Sequence, residues 1–150
     1  MPQSFACLNC HIAFSTKNRE PLILPDLAPR LYEYVGGTAR NTGNVLMAAG
    51  GTADHVHLLV SLGKNSSAAD VVRDLKANSS RWFDETCANL SGFAWQSGYG
   101  AFAVSYSNLS EVRRYIANQQ EHHRAVTFKE EFLALLKRHN LEYDERYVWD

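Results

Sequence analysis

The sequence contains no apolar run close to the roughly 20 residues that a membrane-spanning helix needs. Its N-terminus has no basic stretch followed by an apolar core, so we expect neither a signal peptide nor a membrane anchor. No linker, internal repeat or low-complexity stretch interrupts its 150 residues, which are enough to bury a core unaided. We expect one cytoplasmic domain over residues 1–150, with a core over about 5–123 and a C-terminal helix and acidic-aromatic tail over about 126–150.

Cysteines are scarce and odd in number, since there are only three. This count predicts free thiols rather than a disulfide framework. Cys7, Cys10 and His11 do match the pattern for covalent haem attachment. That chemistry needs an exported chain and usually a recognisable distal ligand, neither of which is evident, so we expect no haem.

Excess positive charge is also missing, because the net charge is −1. Proteins that bind nucleic acid usually depend on Lys and Arg for their affinity. Residues 126–150 contain two more acidic than basic side chains, which leaves residues 1–125 with a net charge of +1. If the chain binds nucleic acid, stacking and base contacts must therefore contribute much of the affinity.

A pair of histidines lies in the run from Asp54 to Val60, which reads DHVHLLV. The run predicts a strand, and strand side chains alternate, so His55 and His57 share one face while the apolar residues fill the other. Two imidazoles held on a strand suit a divalent metal. The alternative is a partly buried strand with two polar residues towards solvent.

A tyrosine and a glutamine lie four residues apart in residues 109–123, which read as a helix. Tyr115, Gln119 and His122 occupy positions i, i+4 and i+7, so they share one face of that helix. A tyrosine hydroxyl beside a metal-ligating side chain is an arrangement for nucleophilic catalysis. The alternative is a tyrosine packed between helix and sheet above a solvated glutamine. His123 points towards the apolar side, and we interpret it as structural.

Together these motifs resemble those of the HUH single-tyrosine transposases of small bacterial insertion sequences, a group that includes the REP-associated tyrosine transposases. The resemblance covers nearly the whole chain, through residues 11–19 (HIAFSTKNR), 54–59 (DHVHLL), 95–105 (WQSGYGAFAVS) and 115–123 (YIANQQEHH). It implies that His55, His57 and Gln119 are metal ligands and that Tyr115 is the nucleophile. His122 is a candidate auxiliary residue.

The resemblance implies a transposase that cleaves and rejoins single-stranded DNA at the ends of an insertion sequence. The intermediate would be a 5′-phosphotyrosine, and the cofactor a divalent metal, Mg²⁺ or Mn²⁺. The partners would be hairpin-containing DNA ends and a second copy of the chain in a homodimer.

Basic residues near these motifs are candidate DNA contacts, although each taken singly is as easily a solvated surface charge. They are Lys17, Arg19, Arg73, Lys76, Arg113 and Arg114. Trp95 and Tyr99 could stack on unpaired bases, but we expect Trp95 to lie in the core.

The order of elements predicts an α+β fold, a ferredoxin-like (RRM-like) split βαβ sandwich with an antiparallel sheet and helices on one face. Asp26 is predicted to cap the first helix, and Gly50 and Gly51 to form a hairpin turn. The expected strands cover residues 5–14, 45–49, 55–62, and 93–96 with 99–105 as one broken strand. The expected helices cover residues 26–41, 67–87, 109–123 and 127–139.

Two other functions fit the same motifs. In a metal-dependent phosphodiesterase the histidine pair would activate water, and Tyr115 would only position the substrate. In a non-catalytic RRM-like binder, or a domesticated transposase, the fold would bind single strands without cutting them.

Overall fold

Four strands form one antiparallel sheet in the computed structural model, which describes residues 2–87 and 92–150. Their order across the sheet is β2-β3-β1-β4, and every neighbouring pair is antiparallel. The strands are β1 (Asn9–Ser15), β2 (Val45–Thr52), β3 (His55–Ser61) and β4 (Gly100–Val104). The α+β class and the ferredoxin-like strand order predicted from the sequence are confirmed.

Five α-helices accompany the sheet in the described part of the chain, with short 3-10 turns at Lys17–Arg19 and Tyr106–Asn108. The first two follow β1 and β3, as a split βαβ fold requires. The other three follow β4. The helices are α1 (Ala28–Asn41), α2 (Ala68–Thr86), α3 (Leu109–Ala117), α4 (Gln119–His122) and α5 (Phe128–Arg138).

Alternation along β3 separates the two faces of the sheet. Val56, Leu58 and Val60 are buried in the main core with apolar residues of α1 and α2. His55 and His57 point to the opposite face. There His55 contacts Gln119, the first residue of α4, and His57 contacts Glu131 of α5. The sequence predicted helices on one face only. The helices α1 and α2 form that layer, but the three C-terminal helices cover the other face of the sheet.

Several predicted boundaries shift. Residues 5–8 precede β1, and α1 is preceded by Leu27 rather than capped by Asp26. Gly50 and Gly51 belong to β2 and pair with β3, so the turn falls at residues 53–54. In place of a strand over 93–96, Trp95 makes one isolated bridge with Thr16.

The predicted helix over residues 109–123 is interrupted. It ends at Ala117, and Asn118 has φ −98° and ψ 19°, outside the helical region. A short helix then begins at Gln119. Tyr115 and Gln119 stay close despite this break: the side-chain Nε2 of Gln119 donates to the backbone carbonyl oxygen of Tyr115 at 3.4 Å.

No helix within residues 2–87 or 92–150 is long and apolar enough to cross a membrane. Trp95 is buried, as predicted for a core residue, and its indole nitrogen donates to the Ser79 hydroxyl at 2.9 Å.

Gly50 allows α3 to approach the sheet closely. It pairs with His57 across β2 and β3, and a Cβ added to it would overlap with the carbonyl oxygen of Ile116. Backbone atoms cannot yield as a flexible side chain can, so only glycine permits this contact. Because Tyr115 precedes Ile116, the contact sets the distance between the tyrosine and the histidine strand.

Gly50→Ala should lower the free energy of unfolding in urea by about 1–3 kcal/mol, because the added methyl group overpacks the contact with α3. Gly37→Ala is the matched control. Gly37 lies inside α1 with only the end of the Arg40 side chain nearby, so alanine there should stabilise the protein by about 0.5–1 kcal/mol. Equal effects of the two substitutions would contradict the close contact.

Candidate active site

Five polar side chains from three parts of the chain converge on the histidine face of the sheet. The Nε2 of His55 lies 3.0 Å from the Oε1 of Gln119, and the Nε2 of His57 lies 2.7 Å from the Oε1 of Glu131. The Nε2 of His123 lies 2.9 Å from the same Gln119 oxygen. The structure therefore brings the three predicted metal ligands together, and adds His123 and Glu131 to them.

Tyr115 lies at the edge of this cluster. Its hydroxyl donates a hydrogen bond to the Oε2 of Glu131, and its ring centroid lies 5.7 Å from that of His57. Burial raises the pKa of the phenol, and the negative charge of Glu131 raises it further. The tyrosine thus rests as a neutral phenol against the histidine cluster.

In two of the imidazoles, those of His55 and His123, the Nδ1 atom faces an oxygen acceptor. The Nδ1 of His55 is 2.7 Å from the Oδ1 of Asp54. Burial alone would raise the pKa of that carboxyl, but hydrogen bonds from His55 and Thr52 hold it below its usual range, so it acts as an acceptor. The Nδ1 of His123 is 2.6 Å from the carbonyl oxygen of Val126, which can only accept. In the neutral form of either ring the proton would therefore be on Nδ1, and Nε2 would carry a lone pair.

Those lone pairs face other acceptors. The amide nitrogen of Gln119 lies 3.1 Å from the Oε2 of Glu131 and donates to it, which turns the amide oxygen towards His55 and His123. Two imidazole lone pairs and an amide oxygen then point at one centre, an arrangement that needs a positive charge there, either extra protons or a cation.

The spacing of the donor atoms fits a metal ion. One ligand atom from each of His55, His57, His123 and Glu131 lies within 4.8 Å of all the others. Two atoms on opposite sides of one ion, each at about 2.1 Å, are about 4.2 Å apart, so only a small contraction is needed. Imidazole nitrogens with amide and carboxylate oxygens form a donor set suited to divalent transition metals.

His11 supports the cluster from β1. It is buried, and its Nε2 lies 2.8 Å from the Nδ1 of His57. Burial, and then the neighbouring His57, lower the pKa of His11 to about 3. Burial also lowers the pKa of His57, although Glu131 opposes this effect. Both rings are thus kept neutral, as metal ligands and their supporting groups require.

The sequence analysis missed Glu131 and expected His123 to be structural. Glu131 interrupts the buried apolar face of α5, where Phe128, Phe132 and Leu135 are its neighbours at helical spacing. A carboxylate in that position is a signal for a polar partner inside the fold. The break at Asn118 changes the direction of the chain and turns His123 inward. His122 is one-third exposed and lies 3.3 Å from the Oε2 of Glu131.

The predicted DNA contacts fall into two groups. Arg73 and Lys76 belong to α2, on the face opposite the histidines. Arg73 is paired with acidic neighbours, and the ammonium of Lys76 donates to the carbonyl oxygens of residues 96–98, so it holds that loop.

The remaining four lie outside α2. Arg19 donates to the carbonyl oxygen of Trp149 in the C-terminal tail, and Arg113 donates to that of Met47. Lys17 and Arg114 are exposed.

Two clefts border the cluster. One, of about 780 Å³, is lined in part by Arg19, Asp54, His123 and Arg124. The other, of about 400 Å³, reaches Tyr115 together with Arg138 and His139. Tyr115 and His123 each therefore line a cleft that opens to solvent.

Comparisons with known proteins show the family of this chain. The family model described as "Transposase IS200 like" matches residues 4–119. The ISDra2 transposase TnpA of Deinococcus radiodurans is 25% identical over 119 residues, which are 76% of this chain and 85% of that protein.

Two solved structures are similar. A candidate transposase from Deinococcus radiodurans R1 superposes with a TM-score of 0.64 at 26% identity, over 79% of this chain and 98% of its own. A REP-associated tyrosine transposase bound to a REP hairpin superposes with a TM-score of 0.62, over 84% of this chain and 74% of its own. At 15% identity the second match shows the fold alone.

The lowered pKa of His11 predicts a pH dependence of stability. Between pH 6.5 and about 3 the unfolded chain binds a proton at His11 and the folded protein does not. Stability is therefore lost as pH falls below 6.5, by at most about 1.4 kcal/mol per pH unit for this one group. In chelator-treated protein, His11→Asn should make the free energy of unfolding less dependent on pH between 6.5 and 4. Equal slopes for the wild type and His11→Asn would contradict this account.

Proposed function

Because this chain belongs to the IS200-like transposase family, we propose that it cleaves and rejoins single-stranded DNA through a covalent link to Tyr115. The observation that carries the proposal is the hydrogen bond from the Tyr115 hydroxyl to Glu131. The same carboxylate contacts His57, so the nucleophile lies directly against the imidazole cluster.

The metal would be held by His55, His57 and Gln119, with His123 close enough to join them. A divalent ion at this site would polarise the scissile phosphate and offset negative charge on the phenol oxygen. Asp54 and His11 hold the outer nitrogens of His55 and His57, and this orients the inner nitrogens towards the cluster.

In the cleavage step the Tyr115 oxygen attacks the phosphorus of a phosphodiester. A bond forms between that oxygen and phosphorus, and the bond from phosphorus to the 3′ oxygen breaks. The phenol proton ends on the 3′ oxygen, which leaves as a 3′-OH, and the 5′ side stays as a phosphotyrosine ester. Attack by the 3′-OH of another strand reverses the step and joins the DNA without further energy input.

Single-stranded DNA with hairpins at the element ends is the substrate that we propose. The hairpin-bound relative of the same fold supports this choice. We assign contacts with it to Lys17, Arg113 and Arg114, which are exposed, and to Arg19, which lines the larger cleft. A homodimer, as the family resemblance implies, remains part of the proposal.

Tyr115→Phe should abolish a covalent adduct between the protein and labelled single-stranded DNA taken from the regions flanking the gene. Loss of a nucleophile should slow cleavage by at least about 10³-fold. Tyr106→Phe is the matched control, because Tyr106 is exposed and outside the site, and it should leave the adduct unchanged. The measurement is a labelled band of protein size on a denaturing gel, with and without a chelator.

Other results of that assay would favour the other functions. Cleavage without an adduct that survives Tyr115→Phe would indicate a metal-dependent phosphodiesterase. Binding to flanking strands without cleavage, indifferent to chelator, would indicate a non-catalytic binder.

Mn²⁺ should raise the melting temperature of the metal-free protein more than Mg²⁺ at equal concentration. Imidazole nitrogens form much of the donor set, whereas Mg²⁺ prefers oxygen ligands and keeps its waters. At equal concentration the ion that binds the folded state more tightly stabilises it more, so thermal unfolding measures the difference. His57→Ala should remove most of the Mn²⁺ effect. An equal or larger shift with Mg²⁺ would contradict the prediction.

A further inference from the structure

Glu131 reaches the site from a part of the chain that the family model does not match. That match ends at residue 119, whereas Glu131 lies on α5. The residue is only 3% exposed, and its carboxylate touches side chains from β3, α3 and α4. Its position therefore depends on the C-terminal segment of the chain.

The position of Glu131 is set by the packing of α5. Thr127 and Glu130 form a capping box at the start of the helix, which fixes where the helix begins. Apolar residues on either side of Glu131 then bury the same face of the helix in a second core with Phe102. These residues are Phe128, Phe132, Leu135 and Leu136. A side chain between such neighbours has little freedom to turn away from the histidines.

The two oxygens of Glu131 have different partners. Oε1 faces the imidazoles: it lies 2.7 Å from the Nε2 of His57, 3.1 Å from that of His123 and 3.7 Å from that of His55. Oε2 faces the nucleophile: it accepts hydrogen bonds from the Tyr115 hydroxyl and from the Gln119 amide at 3.1 Å. One rigid carboxylate thus spans the donor cluster and the tyrosine.

A buried carboxylate is costly unless its charge is used. Replacing a buried ion pair by apolar residues of similar size is often neutral or stabilising, and the rest of this face of α5 is apolar. The Nδ1 atoms of His55 and His123 face the Asp54 carboxylate and the Val126 carbonyl oxygen. The Nε2 atoms of both rings are therefore directed at the same centre as Oε1, where a cation would join all three groups.

We propose that Glu131 is a further ligand of the divalent metal through Oε1, and that its Oε2 holds the Tyr115 hydroxyl. One side chain would then fix the nucleophile relative to the ion. The proposal rests on the proposed metal-assisted function, and it goes beyond His55, His57 and Gln119.

Binding of Mn²⁺ to metal-stripped protein, measured by electron paramagnetic resonance or calorimetry, tests the ligand role without any DNA. Glu131→Gln keeps the size of the side chain and removes its charge. It should weaken Mn²⁺ binding by roughly tenfold or more, as loss of a group around a metal does. The matched control is Glu130→Gln, an adjacent exposed glutamate whose replacement still allows a capping box, and it should bind Mn²⁺ as the wild type does.

Circular dichroism establishes that each variant is folded. Should Glu131→Gln fail to fold, Glu131→Asp serves in its place, because it keeps a carboxylate but withdraws it from the centre. We expect it to weaken Mn²⁺ binding clearly relative to Glu130→Gln. Affinities within twofold of wild type for the folded Glu131 variants would overturn the ligand role.

The adduct assay at saturating Mn²⁺ tests the contact with Tyr115. Glu131→Gln should slow adduct formation by roughly tenfold or more, while its affinity for the same oligonucleotide stays unchanged. An unchanged rate would overturn the positioning role.

The same measurements on the wild type distinguish an error about Glu131 from an error about the proposed function. If it binds Mn²⁺ and forms the adduct while Glu131→Gln does both equally well, only the role of Glu131 is wrong. If the wild type itself binds no Mn²⁺, the metal-assisted function is wrong, and the ligand role of Glu131 with it.

Discussion

The register of β3 in the sheet is the constraint on which the remaining structure depends. Cys10 to Phe14 of β1 pair with Val56 to Val60 of β3, so alternate residues of both strands face α1 and α2 while the others face the C-terminal helices. A slip of one residue would move both histidines into the apolar core and the valines out of it. Burying two imidazoles among apolar residues would be costly. The register that avoids this cost is also the register that brings the site together.

The site gathers ionisable side chains in a buried position, which costs free energy of folding. Asp54, Glu131 and four histidines are brought together where little water reaches, and the directions of the pKa shifts follow from burial and from the carboxylates. Burial lowers the pKa of His11 and His57. For His123 the effect of burial is outweighed by Glu131, so its pKa is raised. Two differently tuned sets of imidazoles thus surround one carboxylate, a pattern found more often at functional sites than in ordinary cores.

The distribution of charge bears on how DNA would be recognised. Lys76 and Arg73 are engaged by carbonyl and carboxylate oxygens on the face away from the histidines, and the net charge is −1. Both cations are therefore offset by their own oxygen partners. Contacts to bases within the two clefts beside Tyr115 and His123 would have to carry much of the affinity, which favours a protein that selects particular strands.

Local pattern was enough to predict the strand order, the α+β class and the shared face of His55 and His57, because alternation along a strand and periodicity along a helix act over a few residues. It also placed Tyr115 four residues before Gln119. Tertiary structure decided the rest: the break at Asn118 that turns His123 inward, the closeness of α3 that Gly50 permits, and the delivery of Glu131 by α5 from 74 residues beyond His57. Which distant side chains meet depends on how packed helices are arranged over the sheet, and no spacing within a single element contains that information.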